Sequence, residues 1–157
     1  MKEPAKSGTV TSREELIRFL NRDLAGEHQE IISYFVYLEA LKGAECMNIA
    51  TELERRAQEE LSHALIIAKQ IDYLGGMPAT QPKEVRTSEK DKEMLRFDLE
   101  NGTGTIRNYR QRVRQCDAQG EYAMAEYIRE ILMQEQEHQI DLATALGIDM
   151  PISKSHS

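Results

Sequence analysis

Five ionisable residues stand at positions where apolar ones are due. Glu27 falls among Leu20, Leu24, Ile31 and Tyr34; Glu60 and His63 fall among Leu53, Ala57, Ile67 and Ile71; Glu135 and His138 fall among Ile128, Ile131 and Leu142. Each set advances in steps of three and four residues, the spacing of one helix face. An ionised carboxylate buried without compensation costs several kcal/mol or is neutralised by protonation. A domain with a net stability on the order of 5–15 kcal/mol does not carry several such costs. A bound dication supplies the missing charge. Glu-x-x-His suits one, because residues i and i+3 share a helix face and can reach the same ion. The motif occurs twice, as Glu60-Leu61-Ser62-His63 and Glu135-Gln136-Glu137-His138.

Plainer readings compete with this one. A single Glu-x-x-His usually faces solvent, a single inward His is usually a hydrogen-bonded core residue, and Glu27 alone fits a salt bridge to an Arg. The conjunction decides for metal: two copies at matched depth, with Glu27 in register on a third helix, form a di-metal carboxylate arrangement. Oxygen and imidazole ligands without thiolate favour iron or manganese, with zinc as competitor. Glu137 and His28 read as surface residues. Tyr34 is the candidate catalytic side chain through a redox role beside the metals; its plainer reading is a core residue with a polar tip.

The elements that must position these residues are four helices. The first starts at Thr11 or Ser12, which pair with Glu14 and Glu15 as overlapping capping boxes, and it stops at Gly43. The second begins near Met47 and ends at Gly75-Gly76, with Pro78 beyond. Ser88 with Asp91 predicts the cap of the third, whose stripe Leu95, Leu99, Ile106, Tyr109, Val113 and Cys116 closes at Gly120; the fourth ends at Gly147. Short first and third connections make two antiparallel hairpins. The longer second connection can run the length of the bundle, which predicts an all-α, ferritin-like antiparallel four-helix bundle with one long crossover. Residues 11–147 form this single domain, flanked by flexible tails over 1–10 and 148–157.

Composition excludes several function classes. The 157-residue chain carries a net charge of −7, which disfavours nucleic acid as a partner. No apolar run approaches the roughly 20 residues that span a bilayer, and the N-terminus lacks a secretory apolar core, so no membrane is involved and a cytoplasmic location is expected. Cys46 and Cys116 are isolated and form no CxxC pair.

The chain resembles the bacterioferritins over nearly its whole length. The resemblance is carried by Leu20-Asn21 followed by Glu27 and Tyr34-Phe35, by Glu60-x-x-His63 and Glu135-x-x-His138, and by Met94-Leu95-Arg96-Phe97-Asp98-Leu99 at the start of the third helix. It implies a di-iron centre: Glu27 and His63 as terminal ligands of one iron, His138 of the other, and Glu60 and Glu135 bridging both. It also implies ferroxidase activity with O2 or H2O2 as oxidant, storage of ferric iron, and a homo-oligomeric cage. Three departures stand out. The family's haem ligand is a Met after the second-helix Glu, where this chain has Leu61, so no haem is expected. The tail after Gly147 is short for a fifth helix. The third-helix Glu that completes the second iron site falls on Gly102. Glu100 lies about 200° away on the helical wheel, and Asp98 is one turn off. Gly102 therefore predicts one tight and one weak site, and Gly102→Glu is expected to restore the second. The rivals are a rubrerythrin-like peroxide reductase, which lacks its CxxC pair here, and a non-catalytic structural subunit.

Overall fold

A computed structural model describes residues 11–41 and 47–149; the predicted stop at Gly43, the first tail and all but Ile148 and Asp149 of the second lie outside them. Four helices follow in order: α1 (Arg13–Ala40), α2 (Met47–Tyr73), α3 (Asp91–Ala118) and α4 (Tyr122–Leu146). Of the two capping boxes at the start of α1, the chain uses the second. Ser12 Oγ accepts from Glu15 N at 3.1 Å and sits 3.2 Å from Glu15 Oε1. At α3 the predicted cap is displaced. Lys90 occupies the cap position without a side-chain bond, and Ser88 Oγ instead accepts from Lys90 N at 3.0 Å, closing the turn before the helix. Gly147 ends α4 in the left-handed region, φ 65°, where a residue without Cβ is favoured.

α1 packs chiefly on α2, and α3 on α4; α1 also meets α3, and α2 meets α4 more sparsely. The crossover between α2 and α3 lies along α1 and is fastened to it at intervals. Asn21 Nδ2 donates to Met77 O at 3.0 Å and its Oδ1 accepts from Ala79 N at 2.7 Å. Lys83 N then donates to Ala25 O (3.0 Å), Gln29 Nε2 to Glu84 O (2.5 Å) and Tyr37 OH to Arg86 O (2.6 Å). From Asn21 to Tyr37 the helix rises about 24 Å at 1.5 Å per residue, so the crossover traverses much of the bundle. Where it leaves α2, a Cβ on Gly76 would stand 2.7 Å from Ile17 Cγ2, so only glycine lets the chain turn against α1.

The core is divided into two apolar clusters. One gathers Leu16, Leu20 and Leu24 with Ile67, Ile71, Tyr109, Ile128 and Ile131; the other gathers Tyr34, Tyr37 and Leu41 with Leu53, Met94, Leu95, Leu99 and Leu142. Burying each large side chain contributes about 1.5–3 kcal/mol. In sequence, what separates the clusters is Glu27 and Glu30 on α1, Arg56, Glu60 and His63 on α2, and Glu135 and His138 on α4, all buried. On α3 the matching stretch carries Gly102 and Gly104. No helix among the described residues is long and apolar enough to cross a membrane.

Candidate metal centre

Four of the five predicted ligands come together. Glu27, Glu60, His63 and Glu135 each offer a ligand atom within 4.8 Å of the others, and all four are buried. His63 Nδ1 is 3.1 Å from Glu60 Oε2, 3.4 Å from Glu135 Oε1 and 3.6 Å from Glu27 Oε2. Its other nitrogen is held from outside: Nε2–H donates to Gln134 Oε1 at 2.5 Å. That bond leaves the Nδ1 lone pair of the neutral ring facing the carboxylates. Tyr109 OH donates to Glu27 Oε1 and fixes that carboxylate.

His138 stands outside the four-residue group but is built in the same way. Its Nε2 lies 2.7 Å from Glu59 Oε2, which can only accept, so Nε2 carries the hydrogen. Its Nδ1 is 3.4 Å from Glu60 Oε1 and has no hydrogen-bond partner. Two rings on two helices are therefore turned alike, each anchored at Nε2 and each presenting Nδ1 inward.

The electrostatics are those of a site short of positive charge. Burial, with Glu135 and Glu27 nearby, pushes the Glu60 carboxyl well above the ordinary carboxylate range. Glu27 is also buried, but the neighbouring Glu60 and His63 bring it below its usual value. Burial opposes charge on His63, yet the Glu135 and Glu27 carboxylates beside it hold its proton up to about 10. Burial lowers His138, more than Glu135 and Glu59 raise it. Glu27 Oε2, Glu60 Oε1, Glu135 Oε1 and His138 Nδ1 have no hydrogen-bond partner. Buried polar atoms are normally satisfied. This donor set, three carboxylates and two imidazoles with inward lone pairs, fits a divalent cation of the iron or manganese kind.

Other buried groups lie outside the predicted set. The inner face of α1 runs Asp23, Glu27, Glu30, Tyr34 and Tyr37, all buried, and continues to the buried Leu41 just past the helix end. Asp23 is matched: Arg112 Nε and Nη2 donate to its two oxygens at 2.6 and 3.0 Å, with Phe19 stacked 4.8 Å from the guanidinium. Glu30 meets no such cation; it is buried, with Asp98 of α3 and Glu135 close enough to repel its charge. Arg56, 1% exposed, donates through Nη2 to Asp141 at 2.9 Å and leaves Nη1 without a partner. Tyr34 is buried beside this acidic pair, and burial pushes its hydroxyl well above 10. His28 is half-buried and Glu137 exposed. Glu100 is exposed and paired with Arg86 at 2.9 Å, away from the site. Gly102 is half-buried rather than packed in the core, and a Cβ there would meet nothing within 4 Å.

Comparison with known proteins agrees with this geometry. The ferritin-like domain family matches residues 17–149. A Desulfovibrio desulfuricans bacterioferritin is 29% identical over 125 residues, 79% of this chain and 70% of that protein. Among solved structures, a ferritin-like, diiron-carboxylate protein from Bacillus anthracis superposes with a TM-score of 0.82 at 30% identity, covering 85% of this chain and 96% of that one. A dodecameric thioferritin from Bacteroides fragilis, a bacterioferritin-related protein, gives 0.80 at 26%, with 88% of each chain covered. The chain belongs to the ferritin-like family. Within it, the chain is similar to the bacterioferritins and the di-iron carboxylate proteins.

Proposed function

We propose that the chain takes up Fe(II) within the bundle, oxidises it and holds the product as ferric iron in the cytoplasm. The observation that carries this reading is the matched pair of histidines, each anchored at Nε2 and presenting Nδ1 inward, beside carboxylate oxygens that lack partners. Glu27 and His63 serve one ion, His138 a second, and Glu60 and Glu135 bridge them. Iron is the substrate here. Each Fe(II) gives one electron, and O2 takes two electrons and two protons to become H2O2, or H2O2 takes the same to become water. The test is aerobic Fe(II) addition followed by ferric absorbance. Formation no faster than in protein-free buffer overturns the oxidase reading. The rival reading, a subunit that binds one ion and does not turn over, rests on Gly102.

Assembly into a closed homo-oligomeric shell belongs to the same reading. Its support is family membership, with the exposed apolar side chains Leu61, Leu65 and Tyr73 on α2 and Tyr127, Met133 and Ile140 on α4 available for contacts between subunits. Light scattering is expected to give a single large species across concentrations; monomer or dimer throughout refutes it.

Haem is not expected in protein from haem-replete cells. Leu61 is 51% exposed on α2 and offers no donor atom. A Soret band of bis-thioether type would show another methionine in that role.

A further inference from the structure

Between the four-residue cluster and Tyr34 lies a second acidic group that no predicted ligand accounts for. Glu30 is one turn beyond Glu27 on α1, and Asp98 is one turn before Gly102 on α3, about 6 Å along that helix at 1.5 Å per residue. Their exposures are 4% and 1%. Glu30 and Asp98 lie close enough to act on each other's charge, and Glu135 lies close enough to repel both. One oxygen of each, Glu30 Oε1 and Asp98 Oδ2, has no partner, and neither has His138 Nδ1 or Glu60 Oε1. The nearby basic group, Arg56, already bonds Asp141.

We infer that Glu30 and Asp98 are cation ligands which replace the carboxylate missing at Gly102, so that the second divalent ion sits towards Tyr34 with Glu60, Glu135 and His138 completing its sphere. This rests on the proposed metal-binding function and relocates its second position. Charge supports it. Glu27, Glu30, Glu60, Asp98 and Glu135 carry five negative charges when ionised; with Arg56 taken by Asp141, two dications leave one of them unmatched, whereas one dication leaves a deficit of three. A buried deficit of that size is not sustained in a medium of low dielectric. The space beside Gly102 then needs no side chain, consistent with the absence of any atom within 4 Å of a Cβ there. The position also explains why His138, with its Nδ1 turned inward, stands apart from the close four-residue group.

Anaerobic calorimetric titration of the full chain with Co(II) tests this. Wild-type protein is expected to bind two ions per chain. Glu30→Gln and Asp98→Asn are near-isosteric and remove only charge. Each is expected to bind one ion with unchanged affinity and to lose at least ten- to a hundredfold at the second, while circular dichroism shows the fold retained. Anomalous diffraction from Co(II)-soaked crystals should place the second peak against Glu30 and Asp98. The inference is overturned if both variants still bind two ions with wild-type affinities. It is also overturned if wild type binds one and Gly102→Glu raises that to two, a result that leaves the metal-binding function standing. Wild-type protein that binds no Co(II) removes the proposed function and this inference together.

Discussion

Glu60→Ala and Glu135→Ala are each expected to abolish tight divalent-metal binding. Both carboxylates face His63 Nδ1, at 3.1 and 3.4 Å, and Glu60 also faces His138 Nδ1 at 3.4 Å. Glu60 therefore stands where it can serve two ions, and the proposed function gives Glu135 the same part. Loss of an outer partner costs about 10–100-fold in metal affinity, and loss of a shared direct ligand removes at least that from each of two sites, roughly 10²–10⁴-fold in all. The metal-free fold is not expected to suffer from the lost charge, because burial already makes ionised Glu60 unfavourable. A separate cost of the cavity left by Ala is read from circular dichroism and melting. Glu137→Ala is the control: it is on the same helix and exposed, and its affinity should not change. Co(II) titrations with wild-type affinity in both core variants would remove Glu60 and Glu135 from the centre.

The positions of Glu60, His63, Glu135 and His138 were legible because each breaks an apolar stripe in a repeated motif, and repetition separates signal from chance. Glu30 was not, for a reason visible on α1. Two rows could be followed there: Leu24, Ile31 and Leu38, which is apolar, and Asp23, Glu30 and Tyr37, which is polar or amphipathic. Reading for hydrophobicity selects the first. The structure buries the second more deeply: Asp23, Glu30 and Tyr37 are buried, while Ile31 and Leu38 are partly exposed. The spacing of 3.5 residues through 23, 27, 30, 34, 37 and 41 was the available signal, since a bundle seam follows that period. Asp98 stood apart from the expected ligand position by one turn, and only the packing of α1 against α3 brings Glu30 near it. The course of the crossover was inferred from its length alone. Its attachment through Asn21, Ala25, Gln29 and Tyr37 depends on backbone groups that carry no residue signature. Ser88 misled at α3 because a Ser hydroxyl can close a turn as readily as it caps a helix.

Divalent metal is expected to raise the melting temperature, and by more at pH 8 than at pH 6.5. In the metal-free fold, burial pushes Glu60 and Glu30 well above the carboxylate range and Asp98 from its ordinary 3.8 to about 6. A group whose folded pKa is raised holds protons that the unfolded chain releases. Its contribution is full below the unfolded pKa and is lost as pH rises through the folded one. His63, raised to about 10, has the same sign, with loss between 6.5 and about 10. Glu27 and His138, both lowered, run the other way, but their gains are complete above 4.5 and 6.5. Between pH 6.5 and 8 the metal-free protein therefore loses stability. The metal-bound protein gains, because a dication requires ionised carboxylates and a free Nδ1, and binding releases the protons these groups held. A ligand at 1,000 times its dissociation constant contributes about 4.1 kcal/mol. For a domain of this size that is roughly 8–16 °C, at about 2–4 °C per kcal/mol. Scanning calorimetry with Co(II) against chelator, at the two pH values, reads the difference directly. An increment at pH 8 equal to or smaller than that at pH 6.5 would show that the buried carboxyls are not what the metal discharges.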